Sequence, residues 1–391
     1  MRSALIWDPM VLGYRFRPDH PFNPKRVELA VSLIEALGLL EGPGVSVVAP
    51  RVATDAELLR VHAPEYVAAV KRLGEEGADT REAWRWGLGT DDTPVFPGMH
   101  DATAAVVGGT LRAAEVVMSG EYTRAFNIAG GLHHAHRDRA SGFCVYDDLA
   151  AAIAWIREEH GARVMYIDYD AHHGDGVQGI FYEDPDVLTL SIHESGRYLF
   201  PGTGFVDELG EGDGYGYSLN LPLDPSTEDD SWIDVYGRLL PEVAEAFRPD
   251  LIVLQNGCDG HTLDPLTHLR ATTRLYEETV RITCEVADRF CGGRIVATGG
   301  GGYAIWGVVP RAWSLVWAGL SGQKAPDRIP REWLDRWQGE APELLRERLR
   351  DEPGAFPAVP RRAEVEAVNL RTLESLRRQA FPLLRGWGMG F

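Results

Sequence analysis

Cysteine is scarce in this chain of 391 residues, which contains four: Cys144, Cys258, Cys284 and Cys291. No two of them form a CxxC pair, and they make no dense series. This spacing disfavours both a disulfide-stabilised scaffold and a structural zinc ribbon. The sequence therefore predicts a protein of a reducing compartment.

Long apolar runs are also lacking. No stretch of the sequence approaches the roughly 18 apolar residues that a membrane-spanning helix requires. The apolar run near the N-terminus is too short for a signal peptide. We therefore expect a cytoplasmic protein that does not associate with membranes.

Positive charge is outnumbered, with 39 Lys and Arg against 58 Asp and Glu and a formal net charge of -19. Such a balance repels the phosphates of nucleic acids and the headgroups of anionic lipids. Arginines become frequent near the C-terminus, but they alternate with Glu and Asp, as on a solvated helix face. A nucleic-acid partner is not expected, and the oligomeric state stays open.

Eight short apolar or β-branched runs are present, and they alternate with segments of helical periodicity. The runs are SALIW, VSVVA, AFNIA, RVMYID, DVLTLSI, YSLNL, LIVLQN and RIVAT. The helical segments are 24–38, 54–73, 101–118, 147–159, 228–247, 268–290 and 307–319. This alternation predicts an α/β fold, with a mostly parallel central sheet of about eight strands and helices on both faces.

The character of the chain changes near residue 321, where Pro, Arg and Glu become frequent and strand signals end. A helix is predicted near 362–379. We expect a domain over 1–320 and a C-terminal helical appendage over 321–391, which packs on the domain or serves as an oligomer contact.

Five of the apolar runs end in polar clusters: GGLHH, DYDAHH, HES, NGCD and GGGGY. In open α/β sheets, ligands bind at the carboxyl ends of the strands. These five clusters, distant in sequence, are therefore expected to converge on one edge of the sheet.

The segment YIDYDAHHGDGV (166–177) suits a metal ion. In extended chain, Asp168, Asp170 and His172 point the same way. A carboxylate and an imidazole, joined by Asp259 from NGCDGH, leave an open coordination position, which is typical of catalytic sites. The alternative for an isolated DxH is a helix-capping Asp beside a solvated His. Seven of the twelve histidines lie between 133 and 193, which favours the metal.

Two adjacent histidines, His133 and His134, follow another strand and a Gly-Gly turn. They could be structural, but hydrolysis needs a base and an acid, and imidazole has a suitable pKa. Asp168 and Asp175 are the nearby carboxylates that could orient the two rings.

The segment TGGGGYAIWG formally matches a phosphate-binding GxGxxG/A pattern, but no acidic residue follows on a later strand as a dinucleotide site would need. Alternatively, the loop delivers Tyr303 to the site. A phenol stays protonated at neutral pH and can donate to a developing oxyanion, which contributes roughly 3 kcal/mol.

The motifs HPFNPKR, DDTPVF, GGLHHAHRDRASGFCVYDD, YIDYDAHHGDGV, SIHESGRYLFPGTG, QNGCDGHTLDPLTHL and GGGGY occur together and in this order. Over residues 5–320, the chain thereby resembles the zinc-dependent histone deacetylase superfamily, and within it the bacterial acetoin-utilisation-type, class I-like deacetylases. The resemblance implies the arginase/deacetylase fold.

The resemblance also implies residue roles. The metal ligands would be Asp170, His172 and Asp259. His134 would act as general base and acid beside His133, with Asp175 and Asp168 orienting the two rings, and Tyr303 would polarise the scissile carbonyl. The acyl-lysine tunnel and its rim would be formed by Asp92, Gly142, Phe143, Phe200 and Leu266.

Two kinds of ion are implied. The catalytic metal would be Zn²⁺, with Fe²⁺ an alternative because two carboxylates and an imidazole form a hard donor set. The resemblance also implies K⁺ or Na⁺ at two sites, one with Asp168, Asp170, His172, Ser191 and Ile192, the other with Phe181, Asp184, Val187 and Tyr217. Many relatives carry Asn at the position of Asp147, which either adds a carboxylate near the tunnel strand or caps the following helix; we favour the cap.

The function expected is a metal-dependent lysine deacetylase, in which metal-activated water hydrolyses an Nε-acetyl-lysine or related short acyl-lysine in proteins and acetate is released. Its partners would be acetylated proteins, and the resemblance suggests acetyl-CoA synthetase as one. The alternatives are an acetylpolyamine amidohydrolase, an arginase-like binuclear ureohydrolase and a non-catalytic acyl-lysine binder.

Overall fold

Eight parallel strands form one sheet in the computed structural model, which describes residues 1–386. The strand order is β2-β1-β3-β8-β7-β4-β5-β6. The strands are β1 (Ser3–Ile6), β2 (Val45–Val48), β3 (Arg124–Asn127), β4 (Val164–Asp168), β5 (Val187–Glu194), β6 (Ser218–Leu223), β7 (Leu251–Gln255) and β8 (Ile295–Thr298). Each lies within one of the eight predicted runs or overlaps it, so the predicted fold class is confirmed.

The helices surround this sheet, and their bounds follow most of the predicted segments. They are α1 (Lys25–Ala36), α2 (Asp55–Leu58), α3 (Pro64–Leu73), α4 (Met99–Met118), α5 (Asp148–His160), α6 (Asp175–Ile180), α7 (Asp229–Phe247), α8 (Thr273–Phe290), α9 (Val309–Ser321), α10 (Arg331–Trp337) and α11 (Arg362–Gly386). The short helices α6 and α10 were not predicted, because one or two turns leave little periodicity to detect.

The single helix predicted over 54–73 is wrong, because the structure divides this segment into α2 and α3. Ala63, before Pro64, is extended, with φ -66° and ψ 141°. Proline disfavours helical geometry in the residue before it and lacks a backbone N–H. A new helix therefore begins at Pro64.

Both faces of the sheet are buried except at the edge strand β2, where Val47 is exposed, and such burial is typical of parallel sheets. On β4, Met165 and Ile167 face the core that includes α1, α7, α8 and α9. Val164 and Tyr166 face the opposite core, which α5 and part of α4 cover. Strand residues are therefore apolar at consecutive positions, and polar side chains concentrate where the strands end.

Four adjacent strands, β3, β8, β7 and β4, end at the same edge of the sheet. The loops that follow them carry the predicted clusters after Asn127, Asp168, Gln255 and Thr298. The sheet thus brings together side chains that are far apart in sequence.

The C-terminal helix α11 packs against the rest of the fold. Asn369 Nδ2 donates hydrogen bonds to the hydroxyls of Thr227 and Ser231, over 2.8 and 2.9 Å. Leu373 and Leu376 are fully buried. The division of the chain into a domain and an appendage at residue 320 stays a prediction, and residues 387–391 of that appendage lie outside the described residues.

Two further features hold for residues 1–386. All four cysteines are buried as free thiols. The helices there lack an apolar stretch of the length needed to cross a membrane.

Candidate metal centre and active site

Three buried side chains at the edge of the sheet form a candidate metal site. Asp170 and His172 follow β4, and Asp259 follows β7. One ligand atom from each lies within 4.8 Å of the others. His172 Nδ1 is 2.8 Å from Asp259 Oδ2 and 3.2 Å from Asp170 Oδ1. Sequence reasoning selected these three residues, and the structure brings them together.

In each of the two carboxylates, one oxygen accepts hydrogen bonds from neighbouring groups. Oδ2 of Asp170 accepts hydrogen bonds from Gln255 Nε2 and from the Gly301 amide, both at 2.7 Å. Oδ1 of Asp259 accepts one from the Ala171 amide at 2.9 Å. The remaining oxygens are therefore oriented toward His172, as ligand oxygens in a metal site need to be.

The charge and chemistry of this group fit a divalent cation. Burial raises the pKa of Asp259 to about 6, and the charge of Asp170 adds to this effect. Two carboxylates buried side by side repel each other, and a bound cation relieves that repulsion. Carboxylate and imidazole are both established ligand types for Zn²⁺ and for Fe²⁺.

The glycine-rich loop after β8 approaches the metal-ligand group very closely. A Cβ atom on Gly301 would lie 2.1 Å from Asp259 Oδ2. Any side chain there would displace a ligand carboxylate. Close packing against the ligands accounts for this glycine without a bound phosphate.

Two imidazole-carboxylate pairs lie beside the candidate metal ligands. His133 Nδ1 is 2.7 Å from Asp168 Oδ2, and His134 Nδ1 is 2.7 Å from Asp175 Oδ1. The ring centroids of the two histidines are 4.0 Å apart. The structure thus pairs each predicted histidine with the carboxylate that was predicted to orient it.

The two histidines differ in their electrostatics. Burial alone would lower the pKa of His133, but the charges of Asp168 and Asp170 outweigh burial and raise this pKa to about 9. Burial and the positive charge of His133 together lower the pKa of His134 to about 4. At neutral pH, one ring is therefore cationic and its neighbour is neutral, which is the state that can accept a proton.

A cavity of about 210 Å³ leads to these groups. Its walls include His134, His172, Leu199 and Tyr303. They also include all five residues predicted for the tunnel and its rim: Asp92, Gly142, Phe143, Phe200 and Leu266. Burial and the charge of Asp259 hold the pKa of Tyr303 well above its ordinary value, so its phenol stays protonated.

The tunnel wall includes a strained turn. Phe143 has a φ of 68°, in the left-handed region that non-glycine residues rarely adopt, and this costs about 1–3 kcal/mol. The hydroxyl of Tyr14 donates to the Phe143 carbonyl and accepts from the Val145 amide, which stabilises the turn. The ring of Phe143 thereby lies 5.6 Å from that of Tyr303, centroid to centroid.

The residues predicted for monovalent cations form two groups in the structure. Ser191 pairs with Asp168 in the sheet and is followed by Ile192 on β5, next to the candidate metal ligands. The other group lies at the opposite end of β5, where Val187 begins the strand. The Val187 amide donates to the Asp184 carbonyl, and the Asp184 amide donates to the Phe181 carbonyl. The Tyr217 carbonyl accepts from the amide of Thr189 on β5.

Several residues of the site were missed by sequence reasoning. Gln255 donates to Asp170, Tyr166 donates to Asp168, and His136 Nε2 lies 3.2 Å from Asp175 Oδ2. Asp264 Oδ2 accepts a hydrogen bond from the Tyr303 amide at 2.7 Å. His136, the third histidine of HHAH, had a local signal; the others were recognisable only from the fold.

Asp147 has the predicted role of a helix cap. Its Oδ1 accepts a hydrogen bond from the Ala150 amide at 2.7 Å, at the start of α5. This prediction is confirmed.

Comparisons with known proteins agree with this geometry. The family model for the histone deacetylase domain matches residues 20–320. The acetoin utilization protein AcuC of Bacillus subtilis is 49% identical over 371 residues, 95% of each protein. AcuC of Staphylococcus xylosus is 41% identical over 375 residues, 96% of this chain and 97% of the relative.

Solved structures show the same fold. The crystal structure of an HDAC homolog from Aquifex aeolicus has a TM-score of 0.83 and 31% identity, and covers 94% of this chain and 100% of that one. The structure of an HDAC homolog complexed with SAHA has a TM-score of 0.84 and 31% identity, and covers 96% of this chain and 100% of that one.

Proposed function

The chain belongs to the histone deacetylase family, and from that membership we propose that it is a metal-dependent lysine deacetylase. The reaction is hydrolysis of the amide of Nε-acetyl-lysine, or of a related short acyl-lysine, in proteins. The observation that carries this proposal is the placement of His134 and Tyr303 in one narrow cavity with the metal ligand His172.

The family implies a catalytic metal, and we propose Asp170, His172 and Asp259 as its ligands, with Zn²⁺ as the ion and Fe²⁺ as the alternative. When bound, the metal supplies Lewis-acid activation of water and of the substrate carbonyl. Within residues 1–386, this is the only group of three or more His, Cys, Asp or Glu side chains so arranged, which disfavours a binuclear ureohydrolase.

His134 is proposed to move the proton. Its Nδ1 donates to Asp175, so Nε2 is free to accept a proton from the attacking water. The same atom then returns the proton to the leaving ε-amino nitrogen. His133, cationic and paired with Asp168, stabilises the negative charge that develops beside it.

Tyr303 is proposed to donate its phenolic proton in a hydrogen bond to the developing oxyanion. The rings of Phe143 and Phe200 suit the aliphatic chain of an acyl-lysine, with Gly142 and Leu266 completing the wall. Asp92, at the rim, is proposed to accept hydrogen bonds from the substrate backbone.

K⁺ or Na⁺ ions are proposed at the two predicted groups of residues, one near each end of β5. The relatives are named for acetoin utilisation, and we propose the same setting, with acetylated acetyl-CoA synthetase as one substrate in the cytoplasm. The formal charge of -19 also favours a cationic small molecule, so acetylpolyamines are the second candidate substrate.

The experiment is acetate release by the Zn²⁺-loaded and Fe²⁺-loaded protein from an acetyl-lysine peptide and from acetylspermidine in parallel. Asp259→Ala is the control for metal dependence. Faster turnover of the peptide, abolished in the variant, supports the lysine deacetylase. Faster turnover of acetylspermidine overturns it in favour of the polyamine amidohydrolase.

A further inference from the structure

One carboxylate of the C-terminal segment lies buried against the catalytic region. Asp351, between α10 and α11, accepts hydrogen bonds from three donors. Its Oδ2 accepts from His261 Nε2 at 2.9 Å and from the Thr273 amide at 3.0 Å, and its Oδ1 accepts from Arg311 Nη1 at 2.9 Å. The side chains of Asp351, His261 and Arg311 are at most 2% exposed.

The contact with His261 reaches the loop that carries the metal ligand Asp259. His261 Nδ1 accepts a hydrogen bond from the Leu263 amide at 3.1 Å, so the ring is neutral and its proton is on Nε2, facing Asp351. The His261 carbonyl accepts from the Asp264 amide at 2.8 Å. Asp351 therefore fixes a ring around which the loop 259–264 is folded.

The contact with Arg311 reaches the loop that carries Tyr303. Arg311, on α9, donates from Nε to the Gly307 carbonyl at 2.6 Å. Gly307 lies in the loop between β8 and α9, four residues after Tyr303. Asp351 thus holds the guanidinium that closes this second loop.

The two loops meet again at the active site. Asp264 Oδ2 accepts the hydrogen bond from the Tyr303 amide at 2.7 Å. Contacts therefore run from Asp351 through His261 and Asp264 on one side, and through Arg311 and Gly307 on the other. The two loops meet at the hydrogen bond from the Tyr303 amide to Asp264.

We propose that Asp351 is a positioning residue, which sets the place of Tyr303 relative to Asp259 by joining the two loops that carry them. This inference rests on the proposed deacetylase function. It assigns the C-terminal segment a part in the reaction in addition to its packing.

A carboxylate is required at this position, because all three of its partners are donors. An asparagine would offer one acceptor oxygen, and its amide group would face a donor. Burial alone would raise the pKa of Asp351, but the hydrogen bond from His261 and the charge of Arg311 outweigh burial and hold the pKa below its ordinary value. Asp351 is therefore ionised at neutral pH.

The test compares Asp351→Asn with Glu277→Gln. Glu277, on α8, pairs with the neighbouring Arg350 at 2.6 and 2.8 Å and anchors the same segment without touching either loop. For an acetyl-lysine peptide, we expect Asp351→Asn to lower kcat roughly 10- to 100-fold with KM nearly unchanged, because a small misplacement of reacting groups has that effect. Glu277→Gln should keep the wild-type kcat. An equal loss of kcat in both variants overturns the proposal.

Hydrogen exchange gives a readout that does not depend on turnover. We expect the Leu263 and Tyr303 amides to exchange faster in Asp351→Asn and at the wild-type rate in Glu277→Gln. Unchanged protection in Asp351→Asn contradicts the positioning role. If the wild-type protein fails to deacetylate the peptide, the proposed function fails, while exchange still decides whether Asp351 positions the loops.

His261 provides a second pair of variants if Asp351→Asn does not fold. His261→Gln keeps a donor toward Asp351, whereas His261→Leu removes it. We expect kcat and Tyr303 protection to be higher in the Gln variant than in the Leu variant. Equal values in the two variants would overturn the proposal.

Discussion

His134 Nδ1 donates a hydrogen bond to Asp175 Oδ1 across 2.7 Å, and the His134 ring lies 6.0 Å from that of the candidate metal ligand His172, centroid to centroid. The hydrogen bonds from His134 and His136 outweigh burial and hold the pKa of Asp175 below its ordinary value. This pairing fixes the tautomer of His134 and leaves its Nε2 as the basic atom.

Replacement of His134 by Ala should therefore remove the proposed base. We expect kcat for an acetyl-lysine peptide to fall by a factor on the order of 10²–10⁴. His136→Ala is the matched control, because His136 contacts the other oxygen of the same carboxylate and its loss should lower kcat much less. A loss in His134→Ala no larger than in the control would point to His133 as the base.

The pH profile should show an acid limb set by His134. Burial and the charge of His133 lower the pKa of His134 to about 4, and only the neutral ring accepts a proton. We therefore expect kcat/KM to stay level from pH 7 to mildly acidic pH and to fall as the pH approaches 4. A limb near the ordinary pKa of histidine, about 6.5, would contradict this electrostatic account.

Tyr303→Phe should separate catalysis from metal binding. The phenol is buried and protonated, and it touches the cavity without belonging to the metal-ligand group. We expect a loss of roughly 10²–10³ in kcat with the metal content unchanged, as for the removal of an oxyanion donor. Metal analysis and steady-state kinetics measure both quantities, and wild-type turnover would remove Tyr303 from the mechanism.

The sequence predicted the strands because burial on both faces makes their residues apolar at consecutive positions. It predicted the group Asp170, His172 and Asp259 because each residue follows a strand directly and the ends of parallel strands converge. Pro64 itself signals the break between α2 and α3. The helical periodicity of the whole segment 54–73 nevertheless favoured one continuous helix.

Other residues could not be found from local pattern. Gln255 is the last residue of a strand, and its amide gains a role only when β7 lies beside β4. Asp351 lies among Arg and Glu residues typical of a solvated surface, yet it is buried against His261, 90 residues earlier in the chain. Long-range hydrogen bonds of this kind leave no periodicity in the sequence.

Gln255 also leads to a prediction about metal affinity. Its Nε2 donates to Asp170 Oδ2 at 2.7 Å, and groups that orient ligands in this way typically change metal affinity about 10- to 100-fold. We expect Gln255→Ala to bind Zn²⁺ more weakly by that factor, and Asp259→Ala to lose the ion at micromolar concentration. Competition with a chelator measures both affinities, and a wild-type value for Gln255→Ala would refute this role.

Stability should depend on pH through His62, which is buried away from the metal ligands. Its Nδ1 donates to the His136 carbonyl at 3.0 Å, and its Nε2 accepts from the Asp147 amide at 3.1 Å, so a second proton has no acceptor. Burial lowers the pKa of His62 to about 4 in the folded protein. Because the unfolded pKa is near 6.5, the contribution of neutral His62 to the free energy of unfolding is complete above pH 6.5. It is lost as the pH falls toward 4, by roughly 3 kcal/mol.

His62→Gln keeps a donor and an acceptor but does not titrate, so its free energy of unfolding in urea should change less between pH 6.5 and pH 4. Equal changes with pH for the variant and the wild-type protein would refute the assignment.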